Sequence, residues 1–267
     1  MKYQQFLADL AIKAGQLALQ MQQDITDDDV STKETARDIV TIADKATEKL
    51  IRQTLAEYYP DYRFYGEETG KSEDNGSPFC WIVDPIDGTA SYREGQLYWC
   101  TSIGLWKGNK PIAGAVYAPA LNELYYAELG ESATVNGRPI HVKSHGNLES
   151  SVVSTGFSCL RTGWTTENNI PYFEKIGLHC RGVRRFGSAA VDLCYVACGK
   201  SDAFWELNLQ PYDLAAGAAI LLEAGGIITD LRNGTDFPKQ GILASNGPAL
   251  HQEMLQFFPN YSRPAGR

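Results

Sequence analysis

The stretch WIVDPIDGTASY, residues 81–92, decides how the rest of the chain is interpreted. Its first three residues, WIV, favour a buried β-strand, and this strand ends on two aspartates, Asp84 and Asp87, three positions apart. Pro85 presets its own φ and Gly88 permits a tight turn, so the two carboxylates can converge on one point. No lysine or arginine follows before Arg93. The acidic pair therefore needs a neutralising partner from elsewhere.

Two carboxylates held close together repel each other unless one is protonated or a cation lies between them. Oxygen ligands without histidine or cysteine favour hard ions, with Mg²⁺ first and Mn²⁺ or Ca²⁺ next. A competing interpretation is purely structural, because Asp84 or Asp87 could cap the helix that follows the turn. The stretch alone leaves both interpretations open.

The composition limits the classes of protein to which the chain can belong. The chain has 267 residues, of which 43% are hydrophobic and 21% charged, and its formal net charge is −8. These values are typical of a globular protein with one large domain or two closely packed halves. The acidic balance argues against nucleic acid as a partner, since such binding uses clustered lysine and arginine. The one basic cluster, RGVRRFG at 181–187, is interpreted as a structural or interface turn.

No segment predicts a membrane span or an export signal. Asp9 and Lys13 interrupt the apolar residues of the N-terminus, which follow helical spacing. No apolar run reaches the roughly 20 residues that span a bilayer. The six cysteines include no CxxC pair and the four histidines are scattered, which indicates free thiols in a reducing cytoplasm and no zinc site. We therefore expect a cytoplasmic protein without a membrane partner.

The order of predicted elements indicates an α/β protein with two halves. A first helix runs to about residue 23, an irregular and mobile acidic loop follows at 24–38, and a second helix covers about 41–58. Short strands joined by turns then predict an antiparallel meander, up to a turn at Asn136 and Gly137. From about 150 onwards strands alternate with helices. We expect an N-terminal half at 1–150 and a C-terminal half at 151–267 within one compact unit.

Further acids lie at positions that local structure can explain. Glu67 and Glu68 follow a strand, Asp213 begins a helix, and Asp44 lies on the second helix. Taken separately, Asp213 is an N-cap, Glu67 a surface turn residue and Asp44 a solvated helix residue. Composition and spacing cannot bring these segments together.

Several motifs in series change that interpretation. GEE at 66–68, WIVDPIDGT at 81–89 and PYDLAAGAAILLEAGG at 211–226 resemble the successive signature motifs of the inositol monophosphatase family, from DIVTIADKATEKLI through to GGIITD. The resemblance implies a layered αβαβα sandwich, with an antiparallel meander sheet in the N-terminal half and a mixed sheet in the C-terminal half, and a homodimer. It also implies lithium-sensitive hydrolysis of phosphate monoesters by metal-activated water. Two or three Mg²⁺ ions per active site are implied, with Mn²⁺ as a substitute.

The resemblance also assigns roles by position. The implied metal ligands are Glu67, Asp84, the carbonyl of Ile86, Asp87 and Asp213. The implied catalytic residues are Glu67 and Thr89, which position and activate the attacking water, and Asp44, which holds metal-bound water. The implied substrate-binding residues are Asp87, Gly88, Thr89, Gly187, Ser188, Ala189, Glu206 and Asp213. Lys33 matches a family position near the active site.

Two departures from the family pattern concern the substrate. Inositol-preferring members often have Thr-Asn-Phe where this chain has Ala90, Ser91 and Tyr92, and a tryptophan where it has Tyr212. Neither departure changes an implied ligand. The favoured substrate is a phosphorylated small polyol, inositol monophosphate first. Fructose-1,6-bisphosphatase or histidinol-phosphatase activity, and a non-catalytic regulatory or binding role on the same fold, are the alternatives.

Overall fold

The computed structural model describes residues 2–24, 26, 30–32, 39–144, 146–259 and 261. Its helices are α1 Gln4–Gln22, α2 Ile42–Tyr58, α3 Thr89–Arg93, α4 Ser158–Arg161, α5 Ile170–Gly177, α6 Ala189–Ala197, α7 Pro211–Glu223 and α8 Pro248–Leu255. Its strands are β1 Val30–Thr32, β2 Ile39–Thr41, β3 Arg63–Gly66, β4 Gly70–Lys71, β5 Phe79–Asp87, β6 Cys100–Lys107, β7 Lys110–Ala118, β8 Glu123–Glu128, β9 Thr134–Val135, β10 Arg138–Pro139, β11 Val152–Thr155, β12 Gly182–Arg184, β13 Ala203–Glu206, β14 Ile227–Thr229 and β15 Ile242–Ser245.

The larger sheet has eight strands in the order β10-β9-β8-β7-β6-β5-β3-β4. From β5 to β10 the strands form the predicted antiparallel meander. In contrast, β3 pairs parallel with β5, because the chain turns back through β4 before it enters β5. The carboxyl ends of β3 and β5 therefore meet at one edge of the sheet.

The smaller sheet has five strands in the order β12-β11-β13-β15-β14. The strand β11 pairs parallel with both of its neighbours, whereas β15 pairs antiparallel with β13 and β14. The sheet is therefore mixed, as predicted for the C-terminal half.

Three apolar clusters join these sheets and helices into five layers. Leu7 of α1 and Ile51 of α2 pack on one face of the larger sheet. The helices α6 and α7 fill the space between the two sheets. On β13, Phe204 faces this central cluster, while Trp205 faces a third cluster that includes residues of α5 and α8. The order helix, sheet, helix, sheet, helix confirms the predicted layered α/β fold.

Several local predictions were wrong or incomplete. Part of the predicted irregular segment 24–38 forms β1, which pairs with β2 in a short antiparallel ribbon. The basic segment predicted as a turn contains β12, because its backbone pairs with the edge of β11. The helices α5 and α8 and the strand β15 were not predicted. Lys33 lies outside the described residues.

Among the described residues, no helix is both long enough and apolar enough to cross a bilayer.

Candidate metal-binding site and cavity

A bulge at the end of β5 brings its two aspartates to the same place. Asp84 pairs with Ser102 of β6 and Asp87 with Cys100, so three steps along β5 match two steps along β6. In a regular strand, residues three positions apart face opposite sides of the sheet. The extra residue of a bulge reverses this alternation. Asp84 and Asp87 therefore converge as the sequence predicted.

The interpretation of these aspartates as caps of the following helix is wrong. The short helix α3 begins after Gly88, which has φ 94°, and no side chain caps it. Asp87 instead accepts hydrogen bonds at 2.7 Å from both the Ser188 hydroxyl and the Ala190 N–H. Asp84 accepts the N–H of Ile86 at 3.0 Å. Asp87 thus connects the larger sheet to the start of α6.

Asp213 joins this pair from the first turn of α7. Its carboxylate accepts the N–H of Gln210 at 2.6 Å, in a capping box that starts the helix. One oxygen from each of Asp84, Asp87 and Asp213 lies within 4.8 Å of the others. The N-cap of α7 is Gln210, so the interpretation of Asp213 as the N-cap is wrong. Its capping-box bond is compatible with its place in the acidic cluster, because a carboxylate has two oxygens.

Glu67 connects this cluster to a second one. Its N–H donates to the carbonyl of Val83 at 3.1 Å, which fixes the turn after β3 to β5. Its side chain lies with Asp44 and Glu68 in a group whose oxygens are within 4.8 Å of one another, and after burial its charge is the largest cause that raises the pKa of Asp84. No site role was predicted for Glu68 from the sequence, although its place next to Glu67 in the GEE motif was a signal for one.

Asp44 is fully buried, so its interpretation as a solvated helix residue is wrong. It accepts the Thr41 N–H at 2.8 Å and the Thr41 hydroxyl at 2.6 Å, in the capping box that begins α2. Its other oxygen lies 3.4 Å from the Thr89 hydroxyl, which is 3.1 Å from the Ile86 carbonyl. Burial raises the pKa of Asp44 to about 7.

The electrostatics of the cluster fit a bound cation. Burial is the main cause that raises the pKa of Asp84 and of Asp213 well above the usual range, and the neighbouring carboxylates raise it further. Burial also raises the pKa of Asp87 to about 6, although its bonds from Ser188 and Ala190 oppose the shift. A cation among these oxygens would favour their charged forms. Both groups consist of carboxylates only, the donors that hard divalent ions prefer.

A cavity adjoins the acidic cluster and is lined by two of its members, Asp87 and Asp213. Of the predicted substrate-binding residues, the lining includes Asp87, Gly187, Ala189, Glu206 and Asp213. Gly88, Thr89 and Ser188 are not part of that lining, and Ser188 instead donates to Asp87. The lining residues that the sequence did not identify are Gly156, Phe157, Ser158, Arg161, Arg185, Asp192 and Leu209.

Residues in the wall of the cavity hold the Glu206 side chain in place. Its carboxylate accepts the N–H of Ser158 at 2.9 Å, and a Cβ on Gly156 would overlap it. Burial raises the pKa of Glu206 to about 7, while the charge of Arg161 opposes that shift. The cavity therefore presents both signs of charge beside the carboxylates of the acidic cluster.

An acidic centre that opens into a cavity for a small molecule is typical of metal-dependent enzymes that act on small ligands. The chain belongs to the inositol monophosphatase family, which it matches over residues 2–263. This membership confirms the predicted family and the predicted class of phosphoric monoester hydrolase.

Individual relatives cover most of the chain. An inositol-1-monophosphatase from Synechocystis sp. is 40% identical over 228 residues, 85% of this chain and 79% of the relative. A fructose-1,6-bisphosphatase/inositol-1-monophosphatase from Aquifex aeolicus is 40% identical over 230 residues, 86% of this chain and 85% of the relative. The crystal structure of the extragenic suppressor protein suhB from Bartonella henselae has a TM-score of 0.88 at 33% identity and covers 97% of this chain and 99% of its own.

Proposed function

We propose that the protein is a Mg²⁺-dependent phosphatase that hydrolyses the phosphate monoester of a small polyol, with inositol monophosphate as the favoured substrate. The observation that carries this proposal is the second carboxylate group, Asp84, Asp87 and Asp213, beside a cavity that Asp87, Asp213 and Glu206 line. Family membership supports the reaction class.

The residues that would hold the metal are Glu67, Asp84, Asp87 and Asp213, together with the Ile86 carbonyl. Two or three Mg²⁺ ions suit this number of oxygens, and Mn²⁺ would substitute for them. When bound, such ions supply positive charge to the phosphate and lower the pKa of a coordinated water.

Asp44, Glu67 and Thr89 would activate the attacking water. The Thr89 hydroxyl lies between the Asp44 carboxylate and the Ile86 carbonyl, so it can accept a proton from water while it donates its own. Glu67, which lies in one group with Asp44, would orient that water. Because these side chains are fixed by capping and backbone hydrogen bonds, their geometry is set before substrate binds.

Glu206 would bind the alcohol part of the substrate. A buried carboxylate that already accepts one backbone N–H has lone pairs left for sugar or inositol hydroxyls. Gly187 and Ala189 would shape the same wall, and Gly88 and Thr89 would approach the phosphate through their backbone N–H groups. Such a pocket suits a neutral, hydroxyl-rich leaving group.

The proposal is tested by phosphate release with and without Mg²⁺ from inositol monophosphate, fructose 1,6-bisphosphate and histidinol phosphate. We expect Mg²⁺-dependent release, fastest with inositol monophosphate. Absence of release from every ester at saturating Mg²⁺ would contradict the proposed activity.

The variant Asp84→Asn should lower kcat at least 100-fold, because loss of a direct ligand should cost more than the roughly 10–100-fold typical of an outer-shell change. The metal-free variant should be as stable as the wild type or more so, since one repelling charge is removed. Asp202→Asn is the matched control. Asp202 is also buried, but it accepts the N–H of Val152 at 2.8 Å in the smaller sheet. Unchanged hydrolysis by the Asp84→Asn variant would contradict the assignment of Asp84 as a metal ligand.

Two other candidates have specific support. The relative from Aquifex aeolicus is named a bisphosphatase as well as a monophosphatase, and Arg161 and Arg185 line the cavity where a second phosphate could bind. The name extragenic suppressor protein for the relative from Bartonella henselae describes a genetic effect, which favours an additional regulatory role. The substrate panel tests the bisphosphatase activity. Absence of metal-dependent turnover would favour a regulatory role in place of catalysis.

The remaining parts of the proposal concern the protein's state in the cell. We infer a cytoplasmic homodimer inhibited by lithium. Sedimentation of the purified protein tests the dimer, and phosphate release at rising Li⁺ concentration tests the inhibition.

A further inference from the structure

A second buried acid lies one helical turn after Asp44 on α2. Glu48 is fully buried, and residues four positions apart lie on the same face of a helix. Both of its carboxylate oxygens are used: one accepts the N–H of Glu68 at 2.8 Å and the other accepts the N–H of Thr69 at 2.8 Å. Glu48 thus binds two consecutive peptide groups of the turn that follows β3.

The backbone of this turn lies directly against Glu48. A Cβ at Gly66 would overlap the Glu48 carboxylate, so only glycine allows the turn to approach this closely. At the other side of the turn, the Glu67 N–H donates to Val83 of β5. The turn is therefore held between α2 and β5, with Glu67 at the centre.

Glu67 belongs to the carboxylate group of Asp44 and Glu68, and it lies close enough to the other group that, after burial, its charge is the largest cause that raises the pKa of Asp84. A shift of the turn would therefore move Glu67 and Glu68, two members of the first carboxylate group, relative to Asp84 and the second group. Metal sites depend strongly on the residues that orient their ligands.

We propose that Glu48 is a positioning residue for the metal centre, and that its carboxylate sets Glu67 and Glu68 by holding the peptide N–H groups of Glu68 and Thr69. This inference rests on the proposed metal-dependent function. Glu48 itself contacts no substrate, and its effect passes through the turn.

The variant Glu48→Gln tests this role with little change of volume. A glutamine side chain has one acceptor oxygen and one donor NH₂ group. It can therefore accept only one of the two peptide N–H groups, and its own NH₂ opposes the other. We expect the turn to shift and Mn²⁺ to bind the metal-free protein about 10- to 100-fold more weakly, as measured by titration calorimetry.

A second variant approaches the same contact from the backbone. Gly66→Ala should push the turn away from Glu48 and weaken Mn²⁺ binding in the same direction. In both variants, high Mg²⁺ should restore much of kcat, because the ligands themselves are unchanged. A raised Mg²⁺ requirement with a largely recovered kcat distinguishes positioning from general damage.

Asp202→Asn supplies the control for a lost buried carboxylate. This variant should lower the thermal stability by an amount similar to Glu48→Gln, yet leave the Mn²⁺ affinity within about threefold of the wild type. The reason is that Asp202 anchors Val152 and lies in neither carboxylate group. Wild-type Mn²⁺ affinity in Glu48→Gln, or an equal loss of affinity in Asp202→Asn, would overturn the inference. Failure of the wild type itself to bind Mn²⁺ would instead contradict the proposed function.

Discussion

The single hydroxyl hydrogen of Thr89 has two acceptors within reach. The Ile86 carbonyl lies at 3.1 Å and the Asp44 carboxylate at 3.4 Å. A hydroxyl can donate only one hydrogen, but it can accept from other donors at the same time. This arrangement allows Thr89 to pass a proton from water toward Asp44 without a change in the backbone conformation.

Thr89→Val should therefore lower kcat about 100-fold or more, the loss expected when a group that transfers protons is removed. Thr89→Ser keeps the hydroxyl and should stay within about tenfold of the wild type. The measurement is kcat at saturating Mg²⁺ and substrate, with Mn²⁺ affinity measured in parallel. Equal activity of the valine and serine variants would contradict a proton-transfer role for Thr89.

At this scale, the sequence could predict ligands but not the residues that support them. Asp84 and Asp87 were found because their spacing and the missing cation made them unusual. Glu48 left no such signal, since a glutamate within a helical sequence is ordinary on a solvated face. Asp192 and Arg185 in the cavity were missed for a similar reason: only the packing of distant segments shows which side chains share a wall.

At the scale of elements, the position of α7 decides where Asp213 lies. This helix packs closely on the larger sheet, because two strand positions opposite it are glycines. A Cβ on Gly104 would lie 2.8 Å from the carbonyl carbon of Ala215, and one on Gly114 would lie 2.8 Å from the Cα of Ala216. Main-chain atoms of a helix cannot move aside separately, so a larger residue would have to displace the helix.

Gly114→Ala should therefore destabilise the protein by about 1–3 kcal/mol, the usual cost of overpacking a core. Because Asp213 lies in the first turn of the same helix, Mn²⁺ binding should weaken as well. Urea unfolding of the metal-free protein and calorimetric titration check the two effects. Gly146→Ala, where no described residue apart from the chain neighbours lies within 4 Å of the added Cβ, should change neither. A Gly114→Ala protein with wild-type stability would show that α7 has room to move.

The elements that the sequence predicted well have strong local signals. The helix α2 begins at the capping box of Thr41, and the apolar run of β5 ends at its acidic turn. The helix α8, in contrast, has only eight residues and begins without a side-chain cap. The strand β15 is four residues long and fully buried, and short apolar segments do not distinguish a strand from a helix. Tertiary contacts, not local preference, define these elements.

At the scale of the whole molecule, the candidate site lies where the two halves of the chain meet. Asp84 and Asp87 belong to the larger sheet, while Asp213 belongs to a helix between the sheets. The bonds from Ser188 and Ala190 to Asp87 cross the same junction. A division at about residue 150 stays a prediction, but these contacts indicate that metal binding should stabilise the junction as well as the site.

Farther from the site, His251 connects three elements of the C-terminal half. It is buried on α8, and its ring nitrogens lie 2.9 Å from the hydroxyls of Thr229 and Ser245. Burial lowers the pKa of His251 to about 4, below the ordinary value of about 6.5 that applies in the unfolded chain. Between these two pH values the unfolded state binds the additional proton, so stability rises with pH across this window.

The wild type should therefore lose about 1–2 kcal/mol of unfolding free energy through this residue between pH 7.5 and pH 5. His251→Gln, which cannot take up that proton, should show a smaller loss over the same range, as measured by urea unfolding of the metal-free protein at each pH. His179→Gln is the control, because His179 is an exposed histidine whose ring contacts the carbonyl of Lys175, and it should keep the wild-type dependence on pH. If His251→Gln loses as much stability as the wild type between the two pH values, acid destabilisation of the protein originates at other groups.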